Sequence, residues 1–242
     1  MFLHQLRKSE GSETSKDGGE ARAAHDKDVP LDIVLACRND RMLRAQSRQV
    51  AMKFSSEAFF PTKQGVFKIR VATDDDGVEN VVVYKGDIQH GCDVPVRIHS
   101  ECLTSEVFNS LRCDCNEQLE SALKFIEDEG RGVLIYLRQE GRGIGLLNKI
   151  RAYALQDKGL DTVEANEHLG LPVDARTYGS AAEILRFFRI ESIRLLTNNP
   201  AKIDAIRRLG VVVTDRISAL VPPNHINHRY LETKKLKMNY LA

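Results

Sequence analysis

From residue 60 onward, alternation and helical spacing divide the chain into short strands and amphipathic helices. Residues 65–71, Gly-Val-Phe-Lys-Ile-Arg-Val, alternate as a half-buried strand does. The turn signal Asp74-Asp75-Asp76-Gly77 follows, and Val81-Val82-Val83-Tyr84 reads as its partner strand. Residues 94–99 predict a third strand, with Pro95 near its start, where a missing N–H does least harm. Leu119, Ala122, Leu123 and Ile126 recur at spacings of three and four, so residues 118–129 predict a helix. Residues 132–137 predict a buried strand. Further helices are expected over 145–158 with Gly159 as a stop, over 180–188, and over 201–209 ended by Gly210. Strands are expected over 193–196 and 211–213, and a charged surface helix over 230–241. Residues 161–166 and 171–176 read as polar loops. The alternation predicts an α+β or α/β fold, one mixed sheet flanked by helices.

The first residues are patterned differently. Residues 9–20 are small, polar and mixed in charge, too poor in apolar surface to offset the entropy of ordering them. Residues 1–30 are therefore expected to be a disordered tail. Residues 31–37 form a short apolar run that reads as a strand, and 41–54 carry weak helical periodicity. Residues 31–59 are taken as an N-terminal extension and 60–242 as a single domain.

Composition narrows the classes. With 35 Lys+Arg against 34 Asp+Glu, the net charge is +1, which argues against a globally basic nucleic-acid binder. No run approaches the roughly 18 apolar residues of a membrane span. The N-terminus has no apolar stretch long enough for a secretory signal, and its acids disfavour a transit peptide. A cytoplasmic protein with neither a nucleic-acid nor a membrane partner is expected.

Five cysteines are present: Cys37, Cys92, Cys102, Cys113 and Cys115. An odd count in a non-secreted chain argues against a disulfide framework. Cys102, Cys113 and Cys115 lie close together. Three thiolates suit zinc, at about 2.3 Å each, and with no fourth cysteine nearby the last position suits water, as in an open catalytic site. His99 would instead close the site as a fourth ligand, but its alternation places it within a strand. The bland alternative is three buried structural thiols. The polar neighbours Glu101, Arg112, Asp114 and Asn116 weaken it.

Arg138-Gln139-Glu140-Gly141-Arg142-Gly143-Ile144-Gly145 follows a predicted strand and opens a helix. Glycines there let backbone N–H groups approach an anion. Arg131, Arg138, Arg142, Lys149 and Arg151 stand against one acid, Glu140, a local excess that suits phosphate. The Gly-Lys-Ser/Thr ending of a P-loop is missing. A glycine turn with solvated charges is the plainer reading. Thr197-Asn198-Asn199-Pro200 joins a strand to a helix, where Asn198 or Asn199 caps the helix or meets a ligand.

Together these segments resemble the GTP cyclohydrolase II family, from about residue 60 to residue 241. The carriers are Arg97-Ile98-His99-Ser100-Glu101-Cys102-Leu103-Thr104, Ser110-Leu111-Arg112-Cys113-Asp114-Cys115, the loop from Arg138 to Leu146, Lys149-Ile150-Arg151-Ala152-Tyr153, Asp161-Thr162-Val163-Glu164-Ala165-Asn166 and Arg194-Leu195-Leu196-Thr197-Asn198-Asn199-Pro200. The resemblance implies a hydrolase of riboflavin biosynthesis. It would convert GTP to 2,5-diamino-6-(ribosylamino)pyrimidin-4-one 5'-phosphate with release of formate and pyrophosphate. It implies one zinc ion per chain on Cys102, Cys113 and Cys115, whose water attacks the imidazole ring carbon, and magnesium with the triphosphate. Arg97, Ile98, His99, Ser100, Glu101, Gln118, Glu140, Gly141, Arg142, Thr162, Thr197 and Lys202 would contact GTP. Of these, Gln118 and Glu101 would read guanine or hold ribose, and Arg142 and Lys202 suit the phosphates. Asp174 matches the family's proton acceptor. Arg176 matches its proposed nucleophile, with an electrostatic clamp on the phosphates as the competing role. Tyr153 matches a tyrosine of the ring-opening step.

The chain departs from the family pattern at Asn116, at Ser105-Glu106 and at Asn239-Tyr240, where Gly, Gly-Asp and Gly-His are usual. Asn116 tolerates left-handed backbone, so that loop is expected to survive. A homodimer is expected. The first 60 residues are too short for the synthase domain fused to some relatives, so a monofunctional enzyme is expected. The alternatives are a paralogue that stops at the formylated pyrimidine and a non-catalytic GTP-binding regulator.

Overall fold

One mixed sheet of eight strands organises residues 51–241, the part that the computed structural model describes. The expected tail, the strand at 31–37 and most of the helical stretch at 41–54 lie outside the described residues. The end of that stretch is strand, β1 (Lys53–Phe54), because it pairs with Thr73 and Ala72 of β3 (Val66–Thr73). β2 (Ala58–Pro61) also pairs with β3, and β4 (Glu79–Lys85) follows antiparallel. The remaining strands are β5 (Val94–Ser100), β6 (Gly132–Leu137), β7 (Ser192–Leu196) and β8 (Val212–Ile217). The order runs β1-β3-β4-β6-β5-β7-β8, antiparallel as far as β6 and parallel from there on.

Two layers of helices cover the parallel half. On one face α2 (Cys115–Glu129) packs Ala122 and Ile126 against Phe67, Val83, Leu134 and Leu196. On the other, Ile184 and Leu185 of α5 (Gly179–Phe187) and Ile206 of α6 (Pro200–Arg208) meet Val96, Ile98, Ile135 and Leu195. Each of the Val, Leu, Ile and Phe side chains among them, fully buried, contributes roughly 1.5–3 kcal/mol. In β5 the alternation sends Val94, Val96 and Ile98 into the second core, which leaves Arg97 and His99 on the α2 face.

Three expectations change. Residues 161–166 are not a loop but open α4 (Thr162–His168), whose capping box has Asp161 accepting from the Val163 and Glu164 N–H groups. Glu164 accepts in return from the Asp161 N–H, so three otherwise unpartnered donors are satisfied. The C-terminal helix, α7 (His228–Lys237), is not a surface helix throughout, because Thr233 and Lys234 are buried. Asn116 needs no left-handed backbone: it sits in the first turn of α2, its N–H donating to Ser105 Oγ at 3.1 Å.

The topology creates a crevice. From β5 the chain leaves by α1 (Leu103–Glu106) and α2 to β6 on one side. From β7, beside β5, it leaves by α6 to β8 on the other. The loops at the carboxyl ends of β5 and β7 therefore diverge, and open sheets bind ligands at such switch points.

Candidate active site

A cleft of about 1060 Å³, counted to its open mouth, occupies this switch point. Its walls come from the ends of β5, β6 and β7, from α3 (Leu146–Gln156) and from α7.

One wall carries the thiols. Cys102 follows β5, while Cys113 and Cys115 flank the start of α2, and the three sulfurs lie within 4.8 Å of one another. The Ser105–Asn116 hydrogen bond ties the two cysteine-bearing segments together. Lys149 Nζ, from α3, donates to Cys102 Sγ at 3.0 Å and to Glu140 Oε1 at 2.8 Å. Glu140 also accepts from the Leu103 N–H at 2.7 Å, which pins the residue after Cys102. Hydrogen bonds from the Cys113 and Cys115 thiols, with Lys149 beside them, hold Cys102 far below the usual thiol range. Sharing those protons with Cys102 raises Cys113 and, together with burial, Cys115. A cation bound among the three sulfurs would displace the remaining thiol protons. His99 is not a member of it: Nε2 meets Glu106 Oε1 at 2.7 Å, and Tyr136 donates to the other Glu106 oxygen.

The floor is cationic. Arg97 donates to the Leu196 carbonyl at 3.1 Å and to Gln118 Oε1 at 2.5 Å, and its buried Nε has no partner. Gln118 donates to Asp114, the residue between Cys113 and Cys115, and Asp114 also accepts from Lys234 Nζ at 2.9 Å. Burial works to raise the Asp114 carboxyl, but Lys234 outweighs it and the pKa falls. Lys202 Nζ donates to the Ile98 carbonyl at 2.6 Å. Burial drives its pKa well below that of a free amine, and Arg97 and Arg176 push the same way.

The glycine loop forms the opposite rim. A 3₁₀ turn, Glu140–Gly143, puts both Gly141 and Arg142 at positive φ, and α3 starts after it. Arg142 donates to Tyr230 Oη at 3.3 Å, while its buried Nη1 has no partner. At Gly143 the close approach matters: a Cβ there would sit 2.9 Å from the Ala175 backbone. This contact, with the Ala175 N–H donating to the Arg142 carbonyl at 2.9 Å, carries the 174–176 loop on the rim. Arg176 there grips Asp174 with two bonds, Nε to Oδ1 at 2.8 Å and Nη2 to Oδ2 at 2.5 Å.

The cleft gathers nearly all the candidate residues. Arg97, His99, Ser100, Glu101, Gln118, Glu140, Gly141, Arg142, Tyr153, Thr162, Arg176, Thr197 and Lys202 line it with the three cysteines. Two candidates do not. The Ile98 side chain is fully buried in the core behind, offering only its carbonyl to Lys202, and Asp174 reaches the cleft through Arg176. Sequence reasoning missed Lys149 as a site residue, although it stands one turn before Tyr153 on the same helix face. It also missed Tyr230, Lys234 and Tyr240, for which the local signals are the spacing of four between Tyr230 and Lys234 and the departure from Gly-His at Asn239-Tyr240. Tyr153 lies 3.4 Å from Thr104 Oγ1, and burial pushes its phenol up to about 12. Among the described residues no helix is long and apolar enough to cross a membrane.

Known proteins share this sequence. The profile of the GTP cyclohydrolase II family matches residues 53–218. A GTP cyclohydrolase-2 of Picrophilus torridus is 52% identical over 190 residues, covering 78% of this chain and 99% of the relative. One from Neisseria meningitidis is 50% identical over 190 residues, 78% of this chain and 96% of the relative. A riboflavin biosynthesis protein RibBA of Salinispora tropica is 48% identical over 86% of this chain, which spans about half (53%) of that longer relative. The chain belongs to the GTP cyclohydrolase II family and is an enzyme of riboflavin biosynthesis.

Proposed function

We propose that this chain hydrolyses GTP to 2,5-diamino-6-(ribosylamino)pyrimidin-4-one 5'-phosphate, releasing formate and pyrophosphate, with zinc held by Cys102, Cys113 and Cys115. The observation that carries the reading is the convergence of three sulfurs on the wall of a cleft that also gathers Arg97, Arg142, Arg176 and Lys202. The donor set fits: three thiol sulfurs and no carboxylate suit zinc rather than a hard cation. Bound there, zinc supplies Lewis-acid activation of water at neutral pH.

The chain's own groups divide the remaining work. Arg97 and Arg142 attract the phosphates, with Lys202 beside them as a hydrogen-bond donor whose charge a bound phosphate would restore, and the unpartnered nitrogens of the two arginines are donors in wait of an acceptor. Magnesium accompanies the triphosphate. Gln118 and Glu101 face the base and ribose. Gln118 is aimed by Arg97 and Asp114, and Glu101 by its 3.0 Å ion pair with Arg138. Tyr153, protonated at neutral pH, serves the ring-opening end as a proton donor. Arg176 is assigned as a clamp rather than a nucleophile. Burial disfavours its charge, but Asp174 outweighs that and holds the guanidinium protonated, without a free lone pair. The enzyme is read as a cytoplasmic homodimer whose catalytic domain takes in β1 and β2 together with residues 60–242.

Mass spectrometry of the products from GTP, with zinc-loaded enzyme and magnesium, tests the reading. Deformylated pyrimidinone phosphate with formate and pyrophosphate is expected. A formylated pyrimidine as end product overturns the product assignment, and unchanged GTP overturns the activity. Cys113→Ser is expected to abolish ring opening and lose zinc, and full metal occupancy by elemental analysis in that variant would contradict the ligand set.

A further inference from the structure

The segment after α7 returns across the cleft. The Leu241 N–H donates to the Asn198 carbonyl at 2.8 Å, which ties the backbone of this segment to the end of β7. Tyr240 Oη accepts two hydrogen bonds, from Arg176 Nη2 at 3.1 Å and from Asn199 Nδ2 at 3.2 Å. Both donors come from loops that line the cleft, as does Tyr240 itself.

Counting hydrogens gives these contacts a direction. A guanidinium has five N–H donors. In Arg176 the Nε hydrogen and one Nη2 hydrogen go to Asp174, and the other Nη2 hydrogen goes to Tyr240. Only the two Nη1 hydrogens are left to address a ligand. A phenol accepts two bonds and donates one. With both acceptor positions of Tyr240 filled, its single O–H hydrogen has no acceptor among the hydrogen bonds of the described residues, and it sits beside the guanidinium edge that is free.

We infer that Tyr240 is a further substrate-positioning residue: its oxygen fixes the plane of Arg176, and its hydroxyl donates to a phosphate oxygen of the bound nucleotide beside Arg176 Nη1. This rests on the proposed reading that the cleft binds GTP. The Asp174 pair alone leaves the guanidinium able to swing about its bonded edge, and the Tyr240 bond from the side removes that freedom. Orientation of this kind strengthens a charge-assisted contact without adding charge.

Tyr240→Phe removes the hydroxyl and keeps the ring, while the Leu241 tie is a backbone bond that the substitution does not touch. Titrations of zinc-loaded full-length protein compare a non-hydrolysable GTP analogue with guanosine, in the wild type, Y240F, R176M and the double variant. Y240F is expected to weaken the analogue about tenfold, the scale of one hydrogen bond to a charged group, and to leave guanosine affinity and the unfolding temperature of the free enzyme unchanged. In the R176M background the loss is expected to shrink, since coupled residues are non-additive. Three results overturn the inference while the nucleotide site stands: unchanged analogue affinity in Y240F, an equal loss for both ligands, or a loss as large in the R176M background as with Arg176 in place. Failure of the wild type to bind the analogue overturns both.

Discussion

His99 is a histidine kept neutral by its surroundings. Its Nε2–H faces a Glu106 oxygen at 2.7 Å, and its Nδ1 lies 3.4 Å from an Arg97 N–H donor, which requires the lone pair there. Burial lowers its pKa below the ordinary 6.5, and neighbouring Arg97 adds to the effect against the pull of Glu106. The unfolded chain therefore takes up a proton below about pH 6.5 that the folded chain refuses. The stability tied to this group is fully present above that pH and is lost as the pH falls from there toward the depressed folded value. Urea midpoints measured from pH 7.5 to 5.5 are expected to fall with acid in the wild type and to fall less in His99→Gln. Equal slopes would remove His99 from the account.

At the scale of elements, α7 is locked to the cysteine wall by a buried pair. Lys234 and Asp114 are both buried, their charges 2.9 Å apart, and Asp114 lies between two of the three clustered thiols. Removing one partner strands the other charge in a dry site. Lys234→Met is expected to cost about 3–5 kcal/mol in denaturant unfolding and to lower zinc occupancy by disturbing Cys113 and Cys115. A loss below about 1 kcal/mol with full occupancy would show the pair to be incidental. This lock also marks the limit of what the sequence discloses. Cys102, Cys113 and Cys115 are legible because thiols at short spacing declare their chemistry, and the strands because alternation reports a half-buried sheet. Lys234 and Tyr240 are not legible, because nothing in a charged stretch tells which lysine turns inward. That depends on Asp114, 120 positions away. Likewise α4 reads as a loop from its polarity, since the deciding signal is the reciprocal Asp161–Glu164 cap rather than an apolar face.

For the molecule as a whole, the switch between β5 and β7 decides where the cleft opens, and among the described residues its lining runs from 97 to 240. Residues 1–29 contain the small, polar stretch at 9–20, too poor in apolar surface to offset the entropy of ordering it. Their deletion is expected to leave turnover within about twofold of the full chain, a difference well under about 1 kcal/mol in barrier height. A large fall in rate would give the N-terminal segment a part in catalysis. The mixed sheet itself follows from the chain's alternation of strand and helix, but its order does not. β6 lies between β4 and β5, antiparallel to the first and parallel to the second, a placement that no local pattern in the sequence encodes.

The return of residues 240 and 241 across the cleft has a consequence for biogenesis. Synthesis runs from the N-terminus, so the three clustered cysteines and the strands up to β7 are made before Tyr240 and Leu241 are. Until those residues emerge, Arg176 and Asn199 lack their shared acceptor and Asn198 lacks its backbone tie. A chain made only as far as α6 therefore holds its three clustered cysteines while the cleft still lacks the Tyr240 acceptor.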